Sequence, residues 1–343
     1  MSEFKTIWGE ALDPNAVLQE YPRPQMVRAS YINLNGCWDY AITEGRMKPR
    51  EWDGRILVPF SPEAPLSGVN RSLRPWQTLW YRRTLDVSPR VGFRLLLHFG
   101  AVDQMAAVYV NDVLMAEHTG GYTAFSVDIT QYLKDTDNVL TVAVLDGTDT
   151  NELSRGKQRT KRGGIWYTPQ SGIWQTVWME WVPDAYISAL HITPDVQRGC
   201  ARITVCSEQD VPCCIGFQGR SIDGMTNHEL TVAVDEPELW SPESPKLYSF
   251  YAVLGSDRVE SYFALRSVAA GADADGVPCL MLNGKPYYHS GVLDQGYWPD
   301  GLYTAPSDEA LIYDISLMKS MGFNMLRKHI KIEPLRWYYH CDR

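Results

Sequence analysis

Between about residues 30 and 182, apolar and polar positions alternate in short runs broken by turn residues, a pattern that predicts strands and no convincing helix. Residues 79–87 (LWYRRTLDV) read as one strand, and 94–99 (RLLLHF) are apolar enough for a buried one. Runs 104–110 and 113–118 flank Asn111 and Asp112, which suit a two-residue hairpin turn. Gly120 and Gly121 make the next break, and 138–145 alternate again. Residues 173–182 (IWQTVWMEWV) predict a strand with Ile173, Val177, Met179 and Trp181 on one face and Trp174, Thr176, Trp178 and Val182 on the other. Both faces are largely apolar, so this strand should be covered on both sides. The whole of 1–182 reads as a β-sandwich.

Pro183 opens a second set. Runs 185–193, 201–207, 212–218, 229–234, 247–254 and 259–266 have the spacing of an immunoglobulin-like sandwich over 183–271. Residues 271–276 (GADADG) read as a small polar linker. The grammar then changes. A strand is expected at 286–293, and Ser307 is placed to cap a helix with Asp308 and Glu309 in its first turn. Leu311, Ile315 and Met318 follow at helical spacing, and Gly322 ends the helix. Residues 323–327 read as the next strand, and Pro334 suits the start of another helix. Strand, helix, strand, helix over 272–343 is the pattern of a parallel α/β fold.

A hydrophobic fraction of 45% supports real cores. With a net charge of −9 and no Lys/Arg run that stands out, neither nucleic acid nor an anionic membrane is expected as partner. No stretch approaches the ~20 apolar residues that span a bilayer, and MSEFKTIWGE carries no signal-peptide pattern. The seven cysteines lack paired spacing, and Cys213 and Cys214 are adjacent, so free thiols in a cytoplasmic protein are expected. No metal site or cofactor is expected, because the histidines are scattered. Twelve Trp and nineteen Tyr are many, and aromatic faces suit sugar rings as well as cores.

Four segments, in order, resemble family 2 glycoside hydrolases, the β-galactosidase, β-glucuronidase and β-mannosidase group. FGAVDQMAAVYVNDVLMAEHTGGYTAFSVDIT (99–130) and SRGKQRTKRGGIWYTPQSGIWQTVWME (154–180) resemble that family's jelly-roll, galactose-binding-like front domain. LWSPESPKLYSF (239–250) is similar to its immunoglobulin-like domain, and 282–343 to the opening of its (β/α)₈ barrel. The resemblance implies a mainly β chain: a jelly roll (1–182), an immunoglobulin-like sandwich (183–271), and an incomplete barrel start (272–343).

It further implies an N-terminal, non-catalytic portion of a retaining β-glycosidase. Such enzymes need two carboxyl groups ~5–5.5 Å apart. In this family both are glutamates on later barrel strands, so no catalytic residue is expected here. A stand-alone carbohydrate-binding protein is the alternative, and a barrel start counts against it. The expected partner of the parent enzyme is an oligosaccharide or β-glycoside, and the open barrel start is expected to favour self-association.

Four residues are candidates for substrate binding. Asp294 follows the first barrel strand, at the end where barrel enzymes place their sites. Trp298, with Tyr297 and Tyr303 nearby, could form a stacking platform. Arg327 matches the Arg of the family's N-x-x-R pattern, beginning here at Asn324. His329 comes two residues after that Arg, where the family has a His three after. Asp146 and Asp149 lie in a part of the front domain that reaches the active site in some members of the family; the other reading is solvated loop charges, and Glu333 is read as a helix-start residue.

Overall fold

The computed structural model describes residues 4–343. A six-stranded antiparallel sheet orders Gly54–Val58, Gly36–Glu44, Gln77–Leu85, Asn138–Leu145, Met105–Val110 and Val113–Thr119. A four-stranded sheet of Tyr31–Asn33, Val177–Pro183, Phe93–Phe99 and Phe125–Asp128 packs across it. Trp38, Tyr81, Leu97, Phe99, Val142 and Met179 fill the space between. Asn111 and Asp112 take φ of +51° and +67°, the left-handed pair that a tight hairpin requires. The segment 173–182 divides. Gly172–Ile173 pairs with Val102–Asp103, whereas Val177–Pro183 enters the four-stranded sheet.

That strand is buried on both faces, and its outer face carries a charge. Glu180 is fully buried beneath the N-terminal arm. Its carboxylate takes Arg23 Nη2 at 2.8 Å, Arg28 Nη1 at 3.3 Å and His98 Nε2 at 3.1 Å, together with the Tyr21 hydroxyl. Burial alone would raise this carboxyl, but the neighbouring His98 imidazole and the Arg23 and Arg28 charges hold it down at about 2. Arg28 also grips Asp257 through Nε at 2.9 Å and Nη2 at 2.8 Å, and donates to Ile187 O at 2.6 Å. One guanidinium thus joins the two sandwiches.

The second sandwich sets Ala189–Asp195, Cys200–Cys206 and Glu229–Ala233 against Arg220–Met225, Pro212–Phe217, Tyr248–Leu254 and Asp257–Phe263. Arg220–Met225 has no counterpart among the six strands read from sequence. It is an edge strand with alternate residues exposed, so RSIDGM carries almost no apolar signal.

Residues 271–276 are no linker. Val268–Ala272 and Pro278–Leu282 form a hairpin, turned by Asp273, whose Oδ1 accepts from Asp275 N and Val277 N. Beyond it, the strand expected over 286–293 is split: Lys285–Pro286 adds to the hairpin, and Gly291–Asp294 pairs in parallel with Met325–Lys328. The connecting helix, Asp308–Ser320, is capped by Ser307, whose Oγ accepts from Ala310 N at 3.2 Å. A last helix, Leu335–Asp342, follows Pro334.

This third unit is sewn to the other two. Tyr303 is buried against Trp174, and Leu302 against Phe60 and Val17. Asp300 Oδ2 accepts from Thr6 N at 2.7 Å and Thr6 Oγ1 at 2.8 Å. Asp342 meets Tyr262 and Arg266 of the second sandwich.

Replacing Arg28 would leave the buried Asp257 carboxylate without its cation and Glu180 with Arg23 as its one remaining guanidinium. Arg28→Ala is expected to cost about 3–5 kcal/mol, measured by urea unfolding; a cost under about 1 kcal/mol would remove Arg28 from its joining role. Tyr288 is 87% exposed, and the hairpin before it is exposed as well. Chymotrypsin should therefore cut first near Leu280 or Tyr288, and the C-terminal piece should co-elute with the rest on gel filtration. Rapid loss of that piece would contradict the anchoring described.

Candidate functional site

The carboxyl end of the parallel pair gathers an unusual set of charges. Leu293 stands opposite Arg327 in the register, and Asp294 opposite Lys328. Side chains alternate along each strand, so Asp294 and Lys328 share the face of Leu326, which packs toward Trp298 and Trp337. Lys328 Nζ donates to Asp294 Oδ2 at 2.6 Å and to Glu333 Oε1 at 2.7 Å, and lies 4.4 Å from the centre of the Trp337 ring. Lys331 Nζ reaches Glu333 Oε2 at 3.0 Å and donates to Gly296 O and Tyr303 O, both at 2.6 Å. Burial lowers the Lys331 ammonium, and the Glu333 charge opposes that fall. The result is an alternating row, Asp294, Lys328, Glu333, Lys331, in which each charge meets its opposite. Ile330 turns the chain into this row with φ of +63°, a strained conformation for a β-branched residue.

Glu333, read as a helix-start residue, is instead buried between two lysines. Asp294 is fully engaged, its Oδ1 accepting from Gly296 N at 2.8 Å. Trp298 is no open platform. It is 7% exposed, set edge-on to Trp8, and its backbone pairs with Leu302. An apolar indole next to Ala305, Ala310 and Leu311 gains more from burial than from solvent. Arg327 lies on the opposite, exposed face beside Leu293, which is 48% exposed, and makes no ion pair among the described residues. His329 lies just beyond the strand, half-buried, donating its backbone N–H to Asp294 O at 2.9 Å. Arg327 is therefore separated by strand face from Asp294 and Trp298.

Besides Glu180, the first sandwich buries the carboxyls of Glu63, Asp103 and Asp146. Asp146 is thus not a solvated charge; it meets Ser171 Oγ at 2.9 Å and accepts from Thr148 N. Asp149 is half-buried and held by Thr160. Burial raises Glu63 to about 8 and Asp146 to about 6, and pushes Asp103 up with help from the Asp146 charge. A hydrogen-bond chain leads outward. Gln158 Nε2 donates to Asp103 Oδ2 at 2.9 Å, Gln170 N to Gln158 Oε1 at 2.6 Å, and Tyr303 N to Gln170 Oε1 at 2.8 Å. Sequence reasoning missed Glu63 and Asp103. The available signal was an acid set within apolar surroundings, as in FGAVDQMAAVYV.

It also passed over a basic run. Arg155, Lys157, Arg159, Lys161 and Arg162 lie in one loop of the first sandwich, and none forms an ion pair among the described residues. Tyr167 of this loop packs on Tyr297 with ring centres 4.7 Å apart. No group of three or more potential ligands could hold a metal ion among the described residues, all seven cysteines are free, and no described helix is long and apolar enough to cross a membrane.

Residues 69–183 match the family model described as glycosyl hydrolases family 2, sugar binding domain, and residues 215–266 match that of glycosyl hydrolases family 2. The first match falls on the larger sandwich and the second on the smaller one. Both sandwiches thus carry segments that match family 2 glycosyl hydrolases, which the chain resembles. Among individual relatives, it is 25% identical over 296 residues to a β-galactosidase of Thermoanaerobacter pseudethanolicus, covering 77% of this chain and 38% of that protein. It is 27% identical over 330 residues to a putative β-glucuronidase of Formosa agariphila, covering 90% and 38%. A solved Faecalibacterium prausnitzii β-glucuronidase superposes with a TM-score of 0.74 at 23% identity, covering 94% of this chain and 60% of that one. A Bifidobacterium dentium β-glucuronidase complexed with coumarin-3-O-glucuronide gives 0.73 at 22%, covering 93% and 60%. The chain thus spans under two-fifths of the length of these curated relatives.

The raised Asp146 carboxyl has a defined consequence. Between its unfolded value near 4 and about 6, the native state holds a proton that the unfolded chain has released, so stability falls as pH rises. Asp146→Asn keeps the Thr148 and Ser171 contacts without this loss. In urea unfolding, the variant should gain on the wild type from pH 4 to pH 6, by at most about 1.4 kcal/mol per pH unit. A difference that stays flat across that range would show Asp146 to be ionised throughout.

Proposed function

We propose that this chain is the non-catalytic front part of a retaining β-glycosidase, with a jelly roll over 1–182, an immunoglobulin-like sandwich over 183–271 and the first βα units of a (β/α)₈ barrel over 272–343. The observation that carries this reading is the parallel pair Gly291–Asp294 and Met325–Lys328, joined by one helix and docked on both sandwiches. A free-standing binding module has no use for such a pair, which counts against the alternative. Retaining hydrolysis needs one carboxyl as nucleophile and another as acid/base. The acids at this end, Asp294 and Glu333, are both held by lysines. Neither is free to attack a sugar or to exchange a proton with one.

In the parent enzyme the open face of Leu293 and Arg327 would look into the barrel. Arg327 is there the residue to support a carboxylate or bind substrate, with His329 at the rim. Asp294 and Trp298 take part by fixing the loop between them. The substrate class is a β-glycoside. In this 343-residue polypeptide the same open face supports self-association. The free cysteines support a reducing, cytoplasmic setting.

The purified chain is expected to show no turnover of chromogenic β-galactoside, β-glucuronide or β-mannoside. Turnover that persists through purification and vanishes in Asp294→Asn would overturn the non-catalytic assignment.

A further inference from the structure

We propose that the basic loop 155–162 recognises an anionic substituent, a carboxylate or a sulfate, on the glycoside; this rests on the glycosidase reading above. Five of its eight residues are cationic, and from 155 to 168 there is no acid. In a chain of net charge −9, none of the five forms an ion pair among the described residues. Clustered like charges repel one another and favour a bound counter-charge.

The loop is held in a fixed shape. Tyr167 N donates to Lys157 O at 2.8 Å and Arg159 N to Tyr167 O at 3.2 Å, while Gly163 and Trp166 exchange backbone hydrogen bonds at 3.1 Å. Gln158 is buried between Asp103 and Gln170 and roots the hairpin in the sandwich. The Arg159 guanidinium lies 3.8 Å from the centre of the Trp166 ring, which orients its donors. A planar guanidinium so fixed is suited to a carboxylate or sulfate through paired hydrogen bonds.

The loop is also in the right place. Gly156, at φ of +60°, passes so close to the chain after the second parallel strand that a Cβ there would lie 2.7 Å from Ile330 O. Tyr167 rests on Tyr297, which follows the first parallel strand. The cations therefore border the carboxyl end of the parallel pair, the end where barrel enzymes handle substrate. Half-buried Trp166 and Tyr167 add apolar ring surface for a sugar beside the charges. Cations and aromatics together, at this rim, describe a subsite for an acidic sugar unit.

The test is fluorescence anisotropy of the 343-residue chain with four labelled probes. These are an oligogalacturonate, a sulfated chondroitin oligosaccharide, a neutral galacto-oligosaccharide and a single-stranded DNA matched in charge. At least one acidic sugar should bind tenfold or more tighter than the neutral one, and whichever binds better identifies carboxylate or sulfate. The triple variant Lys157→Glu, Lys161→Glu, Arg162→Glu should lose at least tenfold with an unchanged thermal midpoint. If the triple variant melts early, Lys161→Ala, at an exposed position, should still weaken acidic-sugar binding alone. Equal binding of neutral and acidic sugars, unaltered binding by the variants, or DNA binding as tight as the acidic sugars would each overturn the proposal. Turnover by this chain would instead sink the non-catalytic reading and leave the binding result standing.

Discussion

The Arg28 guanidinium, buried to 4% exposure, is the contact on which the arrangement of the two sandwiches depends. It reaches Glu180 in the first, Asp257 and Ile187 O in the second, and itself belongs to the arm that crosses both. A buried ion pair gives little net stability over an apolar substitute, but it is costly to break and it fixes direction. Here it ties Glu180 of the first sandwich to Asp257 and Ile187 O of the second. The third unit depends on both sandwiches being held together, because Asp342 meets Tyr262 and Arg266 while Tyr303 packs on Trp174.

Features with a local cause were legible in the sequence. The Asn111 and Asp112 turn follows from the left-handed tolerance of those residues, and the Ser307 cap from a hydroxyl placed ahead of an apolar period. The mainly β character followed from alternation. What lay beyond reach depended on partners distant in the chain. Glu333 is positioned by lysines two and five residues away, yet Lys331 is itself held by Gly296 O and Tyr303 O, 35 and 28 positions earlier in the chain. Asp146 looked like a loop charge because its loop is polar, and only the covering Glu63 and Ser171 segment makes it a buried one. Trp298 carried no signal to separate a platform from a core residue.

The same limit explains the basic loop. In sequence, 155–162 is diluted by Gly, Gln and Thr. Folding buries Gln158, leaves Arg155, Lys157 and Arg159 half-buried and exposes Lys161 and Arg162, so the cations stay on one loop while the polar residue between them turns inward. The row Asp294, Lys328, Glu333, Lys331 does the reverse. It pairs its own four charges with one another, whereas the neighbouring loop keeps its cations unpaired among the described residues.

The strap from Thr6 to Asp300 bears on how the protein is made. The two residues stand 294 positions apart. During synthesis the leading segment leaves the ribosome early, and domains tend to complete in order from the N-terminus. The arm around Arg28 can close once the second sandwich exists. Thr6, by contrast, must wait with its donors in water until almost the whole chain has been translated. Its docking is therefore a late seal over an interior already formed, and a nascent chain stalled before Asp300 would carry that first segment undocked.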